Sequence, residues 1–306
     1  MQYTAKRFTP LWPRLADAAR ICLWTLVCTV CAAPGQAAAP DPGQDTLLRL
    51  AQTGRIVLGA RDKARPVSFA DGSGAHVGYQ MEICLRVVAA IRQRFDLPSL
   101  KVVTVPTTSA TRFALLNNRT VDIECGDNAV NAGAMQQALL SHATLITDVQ
   151  LMVRTPQAQL SFAGLSGRPV GVIVGSTAIP ALRALSRDSR LKVLEVPGRD
   201  DADIFALLEQ GRVEAIAGSS LVLATLRALA VEPQAYAILP PVLRSDPLAL
   251  MFRLEDEPLH ALANEVVAAM MRSGEMERIH RKWFQQPPPT ALQRLFDSPG
   301  SEAGAL

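Results

Sequence analysis

Hydrophobic residues along this chain recur in two patterns, short apolar runs and longer stretches with one apolar face. The run at 55–60 consists mainly of β-branched and apolar residues and ends at a polar loop, which is typical of a buried parallel strand. Between 81 and 95 the apolar residues are spaced by three and four, and Arg86, Arg92 and Arg94 occupy the other side, which predicts an amphipathic helix. Its apolar face is predicted to contain Met81, Cys84, Leu85, Val88, Ile91 and Phe95.

The two patterns alternate along most of the chain and, after a lead helix at 46–53, give the same β-α-β-α-β order twice. The first series is predicted to have strands at 55–60, 101–105 and 121–125 and helices at 81–95 and 109–117, with Ser109 as the N-cap. The second is predicted to have strands at 170–174, 191–196 and 213–217 and helices that begin at Thr177 and Asp203. This order predicts an α/β fold with right-handed crossovers.

A literal repeat accompanies this order. Residues 113–126 align without a gap on residues 205–218, and the two segments share Phe, Ala, two Leu, Val and Gly, with an acidic residue after each Val. Each segment follows a predicted strand that ends in Val-Pro. Two similar lobes are therefore predicted.

Two apolar segments, at 151–154 and 248–253, fall outside both series. One follows each series, so the chain is predicted to cross from lobe 1 to lobe 2 and return, after which a helical tail at 258–284 packs on lobe 1. The predicted boundaries are 39–152 for lobe 1, 153–248 for lobe 2 and 249–306 for the return to lobe 1. Two crossings form a hinge that lets the lobes close over a ligand.

Residues 1–38 have the layout of a secretory signal peptide, with basic residues, an uncharged apolar run at 21–33 and then small residues. The run is shorter than the roughly 20 residues of a membrane span. The chain has 31 Lys and Arg and 28 Asp and Glu, of which this segment holds four and one, so 27 of each remain. The mature protein is therefore predicted to be periplasmic and formally neutral, which gives nucleic acid and anionic membranes no electrostatic attraction. A composition that is 49% hydrophobic and 19% charged excludes a disordered or fibrous chain.

Cysteine use adds one open question. Cys22, Cys28 and Cys31 lie in the predicted signal peptide, which leaves Cys84 and Cys125. In an oxidising compartment these two cysteines can pair. Two buried thiols on core elements is the interpretation that the sequence favours.

Candidate ligand-binding residues follow the predicted strands, because ligands of doubly wound sheets sit at the carboxyl ends of strands. Guanidinium groups pair bidentately with carboxylates, and free N–H groups at a helix start stabilise anions. These loops therefore predict a site for a small ligand that carries a carboxylate. The simpler interpretations are surface charges for Arg61 and Arg112 and N-caps for Ser109 and Thr177. The candidates are Arg61, Ser109, Arg112, Asp127, Ser176, Thr177, Asp201 and Ser219.

The sequence contains none of the common catalytic or metal-binding motifs considered below. The sequence has no G-x-S-x-G elbow, H-E-x-x-H motif or P-loop. Its histidines, His76, His142, His260 and His280, lie off the strand-end loops and lack metal-ligand spacing, and His280 is expected on a surface helix. No catalytic group, metal or cofactor is therefore predicted.

The motifs at the strand ends and at the end of the chain resemble a known family. They are Arg61, Val77-Gly78-Tyr79, the segment 109–112, the segment 121–126, Gly175-Ser176-Thr177 and the ending 273–284. In this order the chain, from about 46 to 289, resembles the extracellular solute-binding proteins of polar amino acid ABC transporters, and most of all their glutamate/aspartate-binding branch. The resemblance implies the type II periplasmic-binding-protein fold, in which two doubly wound α/β lobes are joined by two crossover strands.

The resemblance also implies roles for individual residues. Arg112, helped by Ser109, would bind the α-carboxylate of the ligand. Arg61 would meet the distal carboxylate of an acidic ligand, and Ser176 and Thr177 would contact the ligand from lobe 2.

Five positions depart from the pattern of this branch or of the family. Asp127 and Ala129 stand where the branch has Ser and Thr, and Asp201 stands where it has a histidine. Ser219 stands where family members have the acid that binds the ligand ammonium, and Val67 replaces an aromatic residue. Asp127 is a candidate to replace the missing ammonium partner, and the identity of the ligand stays open.

The function implied is that of a monomeric periplasmic protein that captures a small carboxylated solute, an amino acid and in this branch an acidic one, for the membrane permease of an ABC transporter. One alternative is a periplasmic lyase or dehydratase of a cyclic carboxylic acid on the same fold, with Asp127 or Asp201 as its general acid or base. Another is a sensory protein that presents its liganded form to a receptor.

Overall fold

Strands and helices alternate through residues 45–157, 162–188 and 192–299, which are the residues that the structure, a computed structural model, describes. The predicted signal peptide at 1–38 lies outside the described residues. The helices are α1 (Thr46–Thr53), α2 (Tyr79–Arg94), α3 (Arg112–Asn117), α4 (Ala132–Met135), α5 (Ala178–Asp188), α6 (Asp201–Glu209), α7 (Ser220–Leu229), α8 (Glu257–Arg272), α9 (Glu275–Phe284) and α10 (Thr290–Asp297). The strands are β1 (Arg55–Ala60), β2 (Lys63–Ala64), β3 (Ser68–Ala70), β4 (His76–Val77), β5 (Lys101–Pro106), β6 (Ile123–Ala129), β7 (Leu139–Leu140), β8 (Leu145–Arg154), β9 (Pro169–Ile173), β10 (Leu194–Gly198), β11 (Ala215–Ser219), β12 (Tyr236–Ile238) and β13 (Arg244–Phe252).

A mixed ten-stranded sheet runs through the described part of the chain in the order β10-β9-β11-β8-β13-β6-β1-β5, with β12 beside β8 and β7 beside β13. Strand β1 pairs in parallel with β5 and β6, and β9 pairs in parallel with β10 and β11. In both groups the first strand lies between the second and the third, so right-handed crossovers place successive helices on opposite faces. The predicted two-lobed α/β class is confirmed.

The two crossover strands are longer than predicted and pair with each other. Strands β8 and β13 are antiparallel, from Leu145 opposite Leu248 to Val149 opposite Arg244. Beyond this shared ladder β8 pairs with β11 and β13 pairs with β6, so each strand leaves the ladder into a different lobe. The ladder is thus the structural link between the lobes. The exact lobe boundaries at 152/153 and 248/249 stay a prediction.

Buried apolar side chains form separate clusters on the two sides of this ladder. The larger cluster packs α2, α8 and α9 against β1 and β6, around residues such as Ile56 and Val88. Other clusters surround β9 and β11, around residues such as Val170 and Ile216. On α2 the predicted apolar face was partly wrong, because Leu85 is 41% exposed and Phe95 is 39% exposed. The buried face instead includes Ile83 and Val87.

Two further expectations are corrected. Cys84 on α2 and Cys125 on β6 form a disulfide, with 6.2 Å between their Cα atoms, instead of remaining two buried thiols. The pairing is favoured because both side chains face the core between the helix and the sheet. His280 is 4% exposed and packs edge-on against Tyr79, so the face of α9 that carries it is buried.

Among the described residues, no helix has the length and hydropathy needed to cross a bilayer.

Candidate ligand-binding site

Two adjoining cavities lie between the strand ends of the two lobes. The Arg112 cavity is lined by Ser109, Arg112, Asp127, Ala129, Thr147, Val149, Ile173, Ser176, Thr177, Ala178, Asp201, Ala217, Gly218, Ser219, Asp246 and Leu248. The Arg61 cavity is lined by Arg61, Asp62, Lys63, Ala64, Pro106, Thr107, Thr108, Ser109, Asp127, Ile173, Arg199, Asp200 and Asp201. Both cavities are open to solvent on one side, and they share Ser109, Asp127, Ile173 and Asp201. The structure therefore brings all eight predicted residues to one cleft.

Arg112 is the first residue of the short helix α3 and is 5% exposed. Its guanidinium lies 5.2 Å from the ring centre of Phe113, and its Nε has no hydrogen-bond partner among the described residues. Burial, and then the positive charge of Arg61, lower the pKa of Arg112. The charges of Asp127 and Glu124 oppose this effect, but neither carboxylate forms an ion pair with Arg112. A buried cation without a counterion in contact is costly, so this side chain is suited to bind an anion.

Ser109 does not have the capping role predicted for it. Helix α3 begins three residues later, and its N-cap is Thr111, whose side chain caps no helix N–H group. Thr108 and Thr111 instead hydrogen-bond to each other in the turn before the helix. Ser109 lines both cavities, so its hydroxyl is placed where a ligand would lie.

Arg61 directly follows β1 and is also 5% exposed. Its Nε donates to Oδ1 of Asp127 at 2.7 Å, while Nη1 and Nη2 have no partner among the described residues. The absence of a side chain at Gly126 leaves room for the Arg61 guanidinium in this position, because a Cβ there would lie 2.9 Å from Nε of Arg61. Burial lowers the pKa of Arg61, but the carboxylates of Asp127 and Glu124 outweigh burial and raise it. Arg61 therefore has a carboxylate in direct contact, that of Asp127, whereas Arg112 has no such contact among the described residues.

The wall from lobe 2 contains the starts of two helices. Ser176 and Thr177 precede α5, and the hydroxyl of Ser176 is buried without a partner in the described structure. Asp200 caps α6 by accepting from the backbone N–H of Asp203 at 2.9 Å. The helix start at α5 therefore presents a free hydroxyl beside its first N–H groups, an arrangement that suits a carboxylate.

Asp201 is the first residue of α6 and is 8% exposed. Burial, and then the negative charge of Asp127, raise its pKa to about 8, against the opposing effect of Arg61. Its side chain is therefore largely protonated at neutral pH, and it can act as a hydrogen-bond donor or acceptor.

Asp246 is a cleft residue that the sequence reasoning missed. It lies on β13 opposite Thr147 of β8, it is 1% exposed, and its Oδ2 has no partner among the described residues. Its Oδ1 accepts a hydrogen bond from Nε of Arg244. The available signal was an acid at the start of the apolar run 247–252, a position where a carboxylate is costly. Ser219, which was predicted, shares a hydrogen bond of 2.6 Å with Thr147 on the same wall.

The two walls of the cleft approach each other closely. Nζ of Lys63, on β2, lies 3.4 Å from Oδ2 of Asp200 on the opposite wall. Gly175 has a φ of +79°, and a Cβ there would lie 2.7 Å from the carbonyl oxygen of Ser109. The structure therefore shows the cleft in a closed arrangement, in which only glycine fits at 175.

The histidines take no part in the cleft. None of His76, His142, His260 and His280 lines either cavity. Within the described ranges, no group of three or more His, Cys, Asp and Glu side chains is arranged to hold a metal ion.

Comparison with known proteins agrees with this architecture. Residues 56–286 match the sequence profile of the bacterial extracellular solute-binding proteins, family 3. The chain belongs to this family. It is 31% identical over 261 residues to the glutamate/aspartate import solute-binding protein of Escherichia coli K12, covering 85% of this chain and 86% of the relative. It is 30% identical over 253 residues to the L-glutamate/L-aspartate-binding protein of Pseudomonas aeruginosa, covering 82% and 84%.

Solved structures of this kind share the fold. A substrate-binding protein of an ABC uptake transporter from Streptococcus pneumoniae, with bound histidine, superposes with a TM-score of 0.71 at 17% identity, covering 80% of this chain and 98% of that one. An ancestral amino acid-binding protein described as a precursor of cyclohexadienyl dehydratase gives a TM-score of 0.67 at 21% identity, covering 79% and 100%. At these identities the likeness establishes the fold alone.

Proposed function

We propose that this family 3 protein is the periplasmic substrate-binding component of an ABC importer, which captures a small amino acid between its lobes and delivers it to a membrane permease as a monomer. The observation that carries the proposal is the buried Arg112, which makes no ion pair among the described residues and whose Nε has no hydrogen-bond partner there, in a closed cleft. The names of the relatives in Escherichia coli and Pseudomonas aeruginosa point to the same class of function. They also favour delivery to a transporter over the sensory alternative.

The ligand α-carboxylate is assigned to Arg112. Ser109 lines the same cavity from lobe 1, and Ser176 brings an unpartnered hydroxyl from lobe 2. A carboxylate has four lone-pair positions, so it can accept from the guanidinium and from both hydroxyls at once. Binding would therefore join groups from the two lobes, and this favours closure.

The ligand ammonium is assigned to Asp246. Asp127, the candidate that the sequence suggested, already accepts from Arg61 at 2.7 Å. Asp246 also has an arginine partner, Arg244 at its Oδ1, but its Oδ2 is buried in the Arg112 cavity without a partner among the described residues and is available to accept from an ammonium group. An ion pair at this buried position gives the cavity one positive and one negative anchor, which matches an α-amino acid zwitterion.

A thermal-shift screen of the purified mature protein tests the proposal. Ligand that binds only the folded protein stabilises it by about 2.7 kcal/mol at a concentration one hundred times the dissociation constant. We expect at least one L-α-amino acid to raise the melting temperature, and the matching amine without the carboxyl group to have no effect. A protein stabilised by neutral sugars or simple cations but by no amino acid would contradict the proposal.

One observation favours the lyase as a second candidate. A general acid works best with a pKa near the operating pH, and burial raises the pKa of Asp201 to about 8. Incubation with a cyclic carboxylic acid such as prephenate would then give turnover that disappears in Asp201→Asn and Asp127→Asn. Absence of turnover, with amino acid binding intact, leaves the transport function.

A further inference from the structure

The charged side chains that line the Arg61 cavity are almost all paired within the protein. The pairs are Arg61 with Asp127, Lys63 with Asp200, Asp62 with His76, and Arg199 with Asp203, at N–O distances of 2.7 to 3.4 Å. Asp201, the remaining acidic residue of the lining, has no ion pair among the described residues and is largely protonated at neutral pH. The cavity therefore contains no uncompensated positive charge.

Hydrogen-bonding atoms of opposite character are nevertheless available there. Nη1 and Nη2 of Arg61 are buried donors without a partner in the described structure. Asp201 is 8% exposed, and it lies near enough to Arg61 for each residue to influence the pKa of the other. A ligand group that enters this cavity thus meets donors on one side and a carboxyl group on the other.

We propose, on the basis of the amino acid-binding function above, that the Arg61 cavity receives a neutral carboxamide, so that the ligand is an amino acid amide such as glutamine or asparagine instead of a dicarboxylic amino acid. The amide oxygen accepts from Arg61, and the amide NH₂ donates to Asp201. A carboxamide offers both an acceptor and two donors, which is the combination that these residues require.

A distal carboxylate fits this cavity poorly. It would enter beside Asp127 and Asp201, and Asp127 already occupies the Nε of Arg61. A carboxylate would add a negative charge beside Asp127 to a cavity whose positive side chains are already paired, and Asp201, which is largely protonated at neutral pH, offers it a hydrogen bond but no compensating charge. A carboxamide adds no charge, and the carboxyl group of Asp201 retains an acceptor oxygen for it in either state.

A cationic side chain is disfavoured as well. The guanidinium of Arg61 lines the cavity with two N–H-bearing nitrogens that no protein group accepts from. An ammonium or guanidinium group would leave these donors buried and unpaired, which is unfavourable. The two residues therefore act together as specificity determinants, Arg61 for the oxygen and Asp201 for the nitrogen.

Isothermal titration calorimetry of the mature protein at neutral pH with L-glutamine, L-asparagine, L-glutamate and L-aspartate tests the assignment. We expect the tighter-binding amide to have at least a tenfold lower dissociation constant than its own acid. Binding of either acid as tightly as its amide would overturn the inference while leaving the proposed function in place. If no amino acid in a wider panel binds, the proposed function itself is wrong.

One variant tests the assignment. Asp127→Asn removes the counterion of Arg61 and is expected to shift the amide-to-acid preference toward the acid by at least tenfold. Glu209→Gln is the matched control, because it also removes one negative charge, lies at the far end of helix α6, lines neither cavity and should leave the preference unchanged.

Circular dichroism melting checks that each variant is folded. If the folded Asp127→Asn variant keeps the wild-type preference, the assignment to this cavity is overturned. If it does not fold, the comparison of the four ligands on the wild-type protein still decides the inference.

Discussion

Replacing Arg112 with alanine separates a ligand-binding arginine from a structural one. Arg112 is 5% exposed and its Nε has no partner in the described structure. Arg253 is also buried, at 1% exposed, and its Nε likewise has no partner, but its Nη1 donates to the carbonyl of Val121 at 2.7 Å and its Nη2 to Asp256 at 2.8 Å. The two residues therefore allow a comparison of one buried arginine without and one with an ion pair among the described residues.

Arg112→Ala should mainly lower the affinity for ligand, whereas Arg253→Ala should mainly lower the stability of the protein. A hydrogen bond to a charged group contributes about 1.5 to 3 kcal/mol, so Arg112→Ala should weaken binding by about tenfold to a hundredfold. Because the substitution removes the contact with Phe113 and the longer-range attraction of Asp127 and Glu124, but no ion pair among the described residues, the free energy of unfolding without ligand should change by at most about 1 kcal/mol. Arg253→Ala leaves Asp256 buried and uncompensated, which typically costs about 3 to 5 kcal/mol of stability.

Calorimetric titration and urea denaturation of both variants provide the two measurements. Arg112→Lys should recover only part of the lost affinity, because an ammonium group cannot reproduce the planar fork of the guanidinium. Equal affinities for the wild type and Arg112→Ala would refute the reasoning, and so would a loss of stability in Arg112→Ala as large as that in Arg253→Ala.

Three further predictions concern the disulfide, the closed cleft and pH. The double variant Cys84→Ala/Cys125→Ala should have a free energy of unfolding in urea that is lower by about 2 to 4 kcal/mol, because the disulfide closes a sequence separation of 41 residues, and an unchanged value would contradict this. Gly175→Ala should weaken binding in calorimetry by at least about tenfold, because its Cβ would meet Ser109 in the closed cleft; full affinity would show that closure does not need this approach. The pKa of Asp201 is raised on folding from 3.8 to about 8, so the folded protein binds the proton more tightly, and stability should fall as pH rises between these values. Denaturation across this range should show a smaller fall for Asp201→Asn, and an equal fall would contradict the assignment.

Strands bounded by clear turns were predictable from local pattern alone. The apolar run of β1 was predicted with both ends correct, because Gly54 and the polar residues after Ala60 delimit it. Strand β6 was predicted two residues too early and ends four residues later than expected, at Ala129. Asp127 and Asn128 look like loop residues, but pairing of this segment with β13 keeps them in the strand. That pairing joins residues about 120 positions apart, which no local pattern contains.

The candidate site shows the same division between local and long-range information. Its location could be predicted, because the carboxyl ends of parallel strands converge at a switch point of the sheet. The partners within it could not. Asp127 pairs with Arg61 across 66 residues of sequence, and this pairing is why we propose Asp246 instead as the ammonium partner. Asp246 enters the cleft only because β8 and β13 form one ladder.

The distribution of unpaired polar atoms also bears on how stability and binding are divided in this protein. Arg61, Arg112, Ser176 and Asp246 come from distant parts of the chain, and each brings a buried atom without a protein partner to the cleft. Each such atom costs about 1 to 3 kcal/mol in a buried position. The cost is smaller when the lobes separate and water reaches these groups, so the closed arrangement depends on a ligand that satisfies donors and acceptors from both walls. A ligand that satisfied only one wall would bind without favouring closure, and a transporter that recognises the closed form would not respond to it.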